Sequence, residues 1–278
     1  MIPVSCLGSA GQVRIHNIFP RSRGPQSPRR CGRRHLDTAA QQSQSIGRSD
    51  TQASRAKTLI KICGVTSAED AQLAAVAGAD FIGMILWPKA KRSVARPVAQ
   101  AIAAVARQHG AQAVGVFVDE DARSIEDRCQ EAGIGVAQLH GDGAREALGS
   151  LPDTLQVIYV MHADSNGVIQ TLQPAQLAAS LGQDLSRPVE WVLVDGIVGG
   201  SGEKFDWGNL RPPKQIAQHG WFLAGGLGPH NVAEAVQQLH PTGVDVSSGV
   251  TGPDKLSKDP EKVHGFVSSV QSAFHDAS

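Results

Sequence analysis

The sequence predicts a (β/α)8 barrel, an α/β domain in which helices surround a closed parallel sheet. From Leu59 onward, eight short and continuously apolar segments alternate with helical stretches. Uninterrupted apolar strands that alternate with helices are typical of a parallel sheet buried on both faces. About 220 residues follow the first 57, a length that suits one such barrel. Periodicity alone leaves an open sheet possible, but eight units in one domain favour closure.

The strand candidates are residues 59–63, 81–86, 113–118, 136–139, 155–160, 191–194, 221–224 and 243–246. The clearest helix candidates are residues 67–77, 98–108, 122–132, 229–239 and 260–273. The first helix has Thr66 or Ser67 as N-cap, Glu69 and Asp70 in its first turn, and Gly78 at its end. Residues 163–188 lack a clear period, so we predict no regular fifth helix there.

Residues 1–57 differ from the rest of the chain and are predicted to be a disordered transit peptide, with the barrel spanning 58–278. The segment is rich in arginine and serine, and its only acids are Asp37 and Asp50. That composition is typical of an organelle transit peptide, whereas a secretory signal needs an apolar core. A disordered basic tail that binds nucleic acid is the alternative. No apolar run is long enough for a membrane span, so no membrane partner is expected.

Charge and cysteine content exclude several classes of function. Lys plus Arg equals Asp plus Glu, 26 each, so a nucleic-acid partner is not indicated. Cys6 and Cys31 lie in the predicted transit peptide, and Cys63 and Cys129 have no spacing that indicates a disulfide framework or zinc site. We therefore expect a reduced protein without a metal.

Cys63 is the first candidate for chemistry, because it stands at the end of the first strand, directly before Gly64. The ends of barrel strands carry the active site, so we expect an exposed, reactive thiol there. Lys61 lies on the same side of the strand and can favour the thiolate, which is the basic form. An inert buried cysteine is the alternative, and Cys129, in the middle of a helix, is assigned to that class.

Asp195 is the second candidate, because it ends the sixth apolar strand. A carboxyl group in a partly apolar barrel mouth has a raised pKa and can remain protonated as a general acid. The alternative is a turn residue that binds the following glycine loop.

Glycine-rich loops after the last strands predict a phosphate site. They contain Gly225 and Gly226 after the seventh strand and Ser247, Ser248 and Gly249 after the eighth. Barrels often hold a substrate phosphate in these loops, where backbone N–H groups can approach it. A third cluster, with Gly200 and Gly202, can contribute. Tight strand-to-helix turns are the alternative explanation.

Arg92 and His140 complete the candidate site. Arg92 follows the second strand, and its planar guanidinium can bind a carboxylate through two bonds, unlike the neighbouring Lys89 and Lys91. A solvated basic loop is the alternative. His140 follows the fourth strand as a proton carrier or a hydrogen-bonding residue, and we favour a supporting role, as for Lys61. Together, an acid, a base, a phosphate site and a carboxylate site favour an isomerisation by proton transfer.

Three motifs resemble one family, the phosphoribosylanthranilate isomerases of tryptophan biosynthesis. They are Lys61-Ile62-Cys63-Gly64, Gln138-Leu139-His140-Gly141 and Val244-Asp245-Val246-Ser247-Ser248-Gly249, and the resemblance runs from about Leu59 to about Phe274. It implies an Amadori rearrangement of N-(5-phosphoribosyl)anthranilate to 1-(2-carboxyphenylamino)-1-deoxyribulose 5-phosphate without a cofactor.

The resemblance also implies roles for individual residues. Cys63 would be the general base, Asp195 the general acid, and Arg92 the ligand of the anthranilate carboxylate. The phosphate would lie at Gly225–Gly226 and Ser247–Gly249, with help from the loop at 200–202.

A long N-terminal segment on this family's barrel indicates a plant or algal plastid-type protein located in the chloroplast stroma, while composition alone also fits a mitochondrial protein. The expected partner is a small phosphorylated substrate, and the protein is expected to be a monomer or homodimer. Two alternatives stay open: the sister aminoaldose-phosphate isomerase of histidine biosynthesis, which carries Asp where this chain has Cys63, and a non-catalytic barrel that binds a phosphorylated metabolite.

Overall fold

The computed structural model describes residues 57–182, 187–196, 205–211, 213 and 216–276, with side chains to residue 273. The chain divides into two compact units, residues 1–52 and 53–278, and every described residue belongs to the second. The predicted transit peptide, apart from Lys57, lies outside the described residues.

Eight parallel strands form a closed barrel in sequence order, and β1 pairs with β8 to complete it. This confirms the predicted fold, and the strands follow the predicted apolar runs closely. Their bounds are Leu59–Ile62 (β1), Phe81–Ile85 (β2), Gln112–Phe117 (β3), Val136–Leu139 (β4), Gln156–Ala163 (β5), Trp191–Gly196 (β6), Trp221–Leu223 (β7) and Gly243–Val246 (β8).

Helices cover the outside of the sheet. Among the described residues they are Ala68–Ala77 (α1), Arg96–Gln108 (α2), Ala122–Ala132 (α3), Asp142–Glu146 (α4), Pro174–Ser180 (α5), Val232–Leu239 (α6) and Pro260–Asp276 (α7). Ser67 caps α1 by accepting a hydrogen bond from the Asp70 N–H at 3.1 Å, and α1 ends at Gly78 in the left-handed conformation. No helix in the described ranges is long and apolar enough to cross a membrane.

One helix departs from the sequence prediction. Residues 163–188 were expected to lack a regular helix, yet α5 occupies part of this segment. Pro174 stands in its first turn, where a missing N–H costs nothing, and the Gln176 side chain accepts from the Gln173 N–H at 3.0 Å. Seven residues are too few for a visible hydrophobic period, which explains the wrong prediction.

The barrel interior is a separate apolar cluster below the carboxyl ends of the strands. Phe81 packs edge-to-face against Trp191 and Phe222, with ring centroids 5.3 Å and 5.4 Å apart. A larger cluster fills the space between strands and helices. Because side chains alternate along a strand, residues two positions beyond this interior layer also face the barrel axis, at its carboxyl-terminal mouth.

A glycine in β8 gives a testable case of interior packing. A β-carbon at Gly243 would overlap the ring of Phe222 and lie 3.0 Å from the Leu59 carbonyl oxygen. We expect Gly243→Ala to lower the free energy of unfolding in urea by about 1–3 kcal/mol, the usual cost of overpacking. Gly135→Ala is the matched control, because a β-carbon there meets nothing within 4 Å. Equal stability of the two variants would contradict this packing.

Candidate active site

A buried ion pair lies at the centre of the barrel mouth. Lys61 Nζ is 2.9 Å from Asp245 Oδ1, and Lys61 is fully buried. The two residues are register partners on β1 and β8. Burial disfavours the charged ammonium, but Asp245 and then Cys63 outweigh that effect and raise the pKa of Lys61. Lys61 therefore stays charged beside both side chains, on the side of β1 that the sequence predicted.

Cys63 follows β1 and lies next to this pair. A β-carbon at Gly83 of the neighbouring strand would come within 2.7 Å of Cys63 Sγ and 3.2 Å of Lys61 Nζ. Only a residue without a side chain leaves room for the thiol and the ammonium together. The thiol and the Lys61 ammonium thus lie together, which is the arrangement expected of a cysteine that works as a thiolate.

One property of Cys63 differs from the prediction. An exposed strand end was expected, whereas Cys63 is only 7% exposed. Residues that follow β8 contact its backbone: Ser247 Oγ donates to the Cys63 carbonyl oxygen at 3.0 Å, and Lys258 Nζ donates to the same oxygen at 2.6 Å. Burial of the position comes from these long-range contacts, which the local sequence does not reveal.

Asp195 ends β6 on the same face of the barrel and remains partly accessible. Its Oδ1 accepts the Gly196 N–H at 2.8 Å. Burial, and then the negative charge of Asp245, raise the pKa of Asp195 to about 7, against opposing effects of the Gly196 bond and Lys61. The carboxyl group is therefore substantially protonated near neutral pH, as the sequence predicted for a strand-end acid in an apolar mouth.

Arg92 is separated from the other cations of its loop. Its Nη1 donates to Ser247 Oγ at 2.7 Å, which fixes the guanidinium above the ends of β1 and β8. Gly64 permits this approach: it has φ of 66°, and a β-carbon there would lie 2.7 Å from Arg92 Nη1. Lys89 instead pairs with exposed Asp119 at 2.8 Å. Of the three basic residues in the loop, Arg92 is the one that reaches Ser247.

His140 lies at the end of β4 in a non-ionised state. Burial, and then the charges of His162, Lys61 and Arg145, lower the pKa of His140 to about 3. Its Nδ1 is 3.4 Å from Gln138 Nε2, and its ring packs edge-to-face on His162 at 5.1 Å. A neutral imidazole offers hydrogen bonds without changing charge, so this geometry favours the supporting role over a proton carrier.

The glycine loops after β7 and β8 lie directly against each other. A β-carbon at Gly249 would overlap the Leu227 carbonyl oxygen, so only glycine permits this approach. Gly225 and Gly226 have φ of 84° and 66°, the left-handed conformation that glycine adopts freely. Asn231 fixes the turn, since its Nδ2 donates to the Gly226 carbonyl oxygen at 2.9 Å. Ser247 and Ser248 stand beside them after β8, whereas Gly200 and Gly202 lie outside the described residues.

Sequence reasoning missed two charged residues of this site. Asp245 appeared only as part of a motif, although its position two residues before Ser247 on an inward-facing strand could have indicated it. Lys258 was not considered. It is only 5% exposed and its Nζ lies against the carbonyl oxygens of Cys63 and Ser247 at 2.6 Å and 3.1 Å. No local pattern identifies Lys258, because a loop carries it back from residues beyond β8.

Known proteins are similar to this chain in sequence and in fold. The family model described as N-(5'-phosphoribosyl)anthranilate (PRA) isomerase matches residues 60–269. Isomerase 1 of Arabidopsis thaliana, named chloroplastic, is 39% identical over 242 residues, which cover 87% of this chain and 85% of the relative. The isomerase of Chlamydia caviae is 39% identical over 215 residues, 76% of this chain and 96% of the relative.

Solved structures that are similar to this chain lead to the same family. Phosphoribosyl anthranilate isomerase from Thermotoga maritima has a TM-score of 0.63 and 29% identity, and covers 77% of this chain and 99% of its own. A second isomerase structure, with a TM-score of 0.58 and 27% identity over the same shares, is a complex with reduced 1-(o-carboxyphenylamino)-1-deoxyribulose 5-phosphate.

The reaction of this family is an isomerisation in tryptophan synthesis, which agrees with a site built from an acid, a thiol and glycine loops and with the sequence prediction. The match covers most of the described barrel and includes all eight strands except the first residue of β1. The chain belongs to the N-(5'-phosphoribosyl)anthranilate isomerase family.

Proposed function

We propose that Cys63 is the general base and Asp195 the general acid of the Amadori rearrangement of N-(5-phosphoribosyl)anthranilate. The Lys61–Asp245 ion pair is the observation that carries this assignment. Lys61 lies as a charged ammonium beside Cys63, while Asp245 opposes ionisation of Asp195. One ion pair therefore supports a proton acceptor and a proton donor at the same mouth.

The reaction requires two proton transfers. Asp195 protonates the furanose ring oxygen, and the substrate amine nitrogen donates its lone pair as the C1–O bond breaks, which gives an open-chain iminium. The Cys63 thiolate then removes the C2 proton, and the electrons of the C–H bond neutralise the iminium to form an enolamine. Tautomerisation gives the ketone. The substrate nitrogen donates an electron pair in the first step and takes one back in the second, so the reaction needs no cofactor.

The remaining candidate residues bind the two ends of the substrate. Arg92 is proposed to bind the anthranilate carboxylate, since its guanidinium lies beside Gly64, directly after the base. The phosphate is assigned to Gly225, Gly226 and the loop Ser247–Gly249, which lie together. Gly200 and Gly202 are proposed to contribute from outside the described residues. Lys61 and His140 are proposed to support the reacting groups without transferring a proton themselves.

Residues 1–57 are proposed to be a transit peptide that directs the protein to the plastid stroma. The arginine-rich composition and the relatives named chloroplastic in Arabidopsis thaliana support this assignment.

A fusion of residues 1–57 to a fluorescent protein should enter chloroplasts of plant cells, and a cytosolic signal would contradict the proposal. The protein is also proposed to be a monomer or a homodimer. A similar protein from Thermotoga maritima is described as dimeric.

Removal of either reacting group should abolish most of the turnover. Cys63→Ala and Asp195→Asn are each expected to lower kcat by ~10²–10⁴-fold, the contribution typical of a positioned acid or base. The measurement is the loss of fluorescence of N-(5-phosphoribosyl)anthranilate, with folding checked by circular dichroism. Cys129→Ala, which removes a buried thiol from α3, should keep wild-type turnover. Near-normal kcat in Cys63→Ala or Asp195→Asn would refute its assignment.

Arg92→Ala should weaken substrate binding more than chemistry. Loss of a charged carboxylate ligand is expected to raise KM at least ~10-fold, about 1.4 kcal/mol of binding free energy, with a smaller change in kcat. Lys91→Ala is the control, because Lys91 is an exposed cation in the same loop. An unchanged KM in Arg92→Ala would contradict the carboxylate assignment.

The pH dependence of kcat/KM should report Asp195. Its protonated form is lost as the pH rises through about 7, so activity should fall on the alkaline side of that value. Asp245→Asn removes the anion that opposes ionisation of Asp195, which moves the alkaline limb to lower pH. Asp127→Asn, an exposed change on α3, should leave the limb in place. An unmoved limb in Asp245→Asn would count against this assignment.

A further inference from the structure

Lys258 is a buried cation whose contacts connect two strand ends at the barrel mouth. Its Nζ donates to the carbonyl oxygen of Cys63 at 2.6 Å and to that of Ser247 at 3.1 Å. These residues directly follow β1 and β8, the strand pair that closes the sheet. One ammonium therefore ties the backbone of the thiol-bearing residue to the backbone of the glycine loop.

The loop that carries Lys258 is itself held firmly. Its two ends pair as an isolated antiparallel bridge between Thr251 and Lys258, and the Gly252 N–H donates to the Ser257 carbonyl oxygen at 3.0 Å. The Lys258 N–H donates to Asp70 Oδ1 of α1 at 3.1 Å. The side chain thus starts from a fixed backbone, so its position at the Cys63 carbonyl is defined by the fold.

The charges around Lys258 come from four different elements. Arg92 faces it from the loop after β2, Cys63 from β1, Asp245 from β8, and Asp70 from α1. Burial, and then Arg92, lower the pKa of Lys258 to about 8, while the other three groups oppose that effect. Since Lys258 Nζ lies 2.6 Å from the Cys63 carbonyl oxygen, its charge acts at short range on the side chain of the same residue.

Lys258 differs from the other two cations at the mouth. The charge of Lys61 is largely balanced by its ion pair with Asp245, and the proposed substrate carboxylate would balance Arg92. The hydrogen bonds of Lys258 Nζ to described residues go to uncharged carbonyl oxygens. Its positive charge therefore remains available to Cys63 when substrate is bound.

From these contacts we infer that Lys258 is a positioning residue for Cys63, which it holds through the backbone carbonyl and whose thiolate it favours through its charge. The inference rests on the proposed role of Cys63 as the base. It assigns a function to a residue outside the strand ends, in a loop that no active-site motif includes.

The test measures the thiolate of Cys63 directly in the full-length protein. Alkylation by iodoacetamide is followed between pH 5 and 10, and modification of Cys63 is quantified by peptide mass spectrometry. The alkylation rate follows the thiolate fraction. Lys258→Gln keeps a hydrogen-bond donor but removes the charge, so its alkylation midpoint should rise by about one pH unit, a tenfold lower rate on the acidic side. Its kcat should fall at least ~10-fold with little change in KM.

Lys262→Gln is the matched control. Lys262 also donates to a backbone carbonyl oxygen of this region, that of Thr251 at 2.8 Å, but it is exposed in the first turn of α7. Its midpoint and kcat should equal those of the wild type. Lys258→Arg keeps the charge and should keep the wild-type midpoint. If Lys258→Gln does not fold, Lys258→Met, which removes the charge from a side chain of similar length, takes its place: a wild-type midpoint there overturns the inference, and a raised midpoint supports it.

Other outcomes are equally decisive. An unchanged midpoint in folded Lys258→Gln, or an equal shift in Lys262→Gln, would overturn the role of Lys258. Because alkylation needs no isomerase substrate, it separates this inference from the proposed mechanism. A shifted midpoint together with full activity of Cys63→Ala would keep the coupling between Lys258 and Cys63 but remove Cys63 from catalysis.

Discussion

The barrel mouth depends on the buried ion pair between Lys61 and Asp245. Strand register alone brings the two residues together, because they are partners across the seam where β1 meets β8. A lone ammonium at the fully buried position of Lys61 would lose its hydration without compensation, whereas the 2.9 Å contact with Asp245 keeps it charged. The pair is therefore a structural requirement of the closed barrel as well as a source of charge for the site.

The two charges of this pair have opposite effects on the protonation of the neighbouring side chains. Asp245 favours the protonated form of Asp195, and Lys61 opposes that effect but is outweighed by burial and Asp245. Lys61 also contributes to the neutral state of His140 and lies beside the thiol of Cys63. The charges of this one ion pair thus act on Asp195, His140 and Cys63. The pair lies directly above the apolar interior, where solvent screens charges least.

The fold could be predicted from local sequence because every strand consists mostly of apolar residues and several helices have clear start or stop signals. Cys63 and Asp195 were predicted for the same reason, since both stand where such an apolar run ends. The burial of Cys63, the partner of Lys61 and the contacts of Lys258 could not. Lys61 and Asp245 are 184 positions apart in sequence, and Lys258 is 195 positions from Cys63, so their contacts exist only once the barrel closes. Propensity and periodicity describe neighbours along the chain and carry no information about that closure.

Space, as much as charge, determines where the thiol can stand. The pleat directs Gly83 inward, and its missing β-carbon is the volume that Cys63 Sγ and Lys61 Nζ occupy. At the opposite side of the mouth, a β-carbon on Gly225 would lie 3.0 Å from Asp195 Oδ1. The proposed base and acid are thus each bordered by a glycine from the adjacent strand or its loop. Because a close-packed interior has little free volume for side chains to move into, an added methyl group at either glycine would displace a reacting group. The glycines at the mouth are therefore part of the site, although they carry no chemistry themselves.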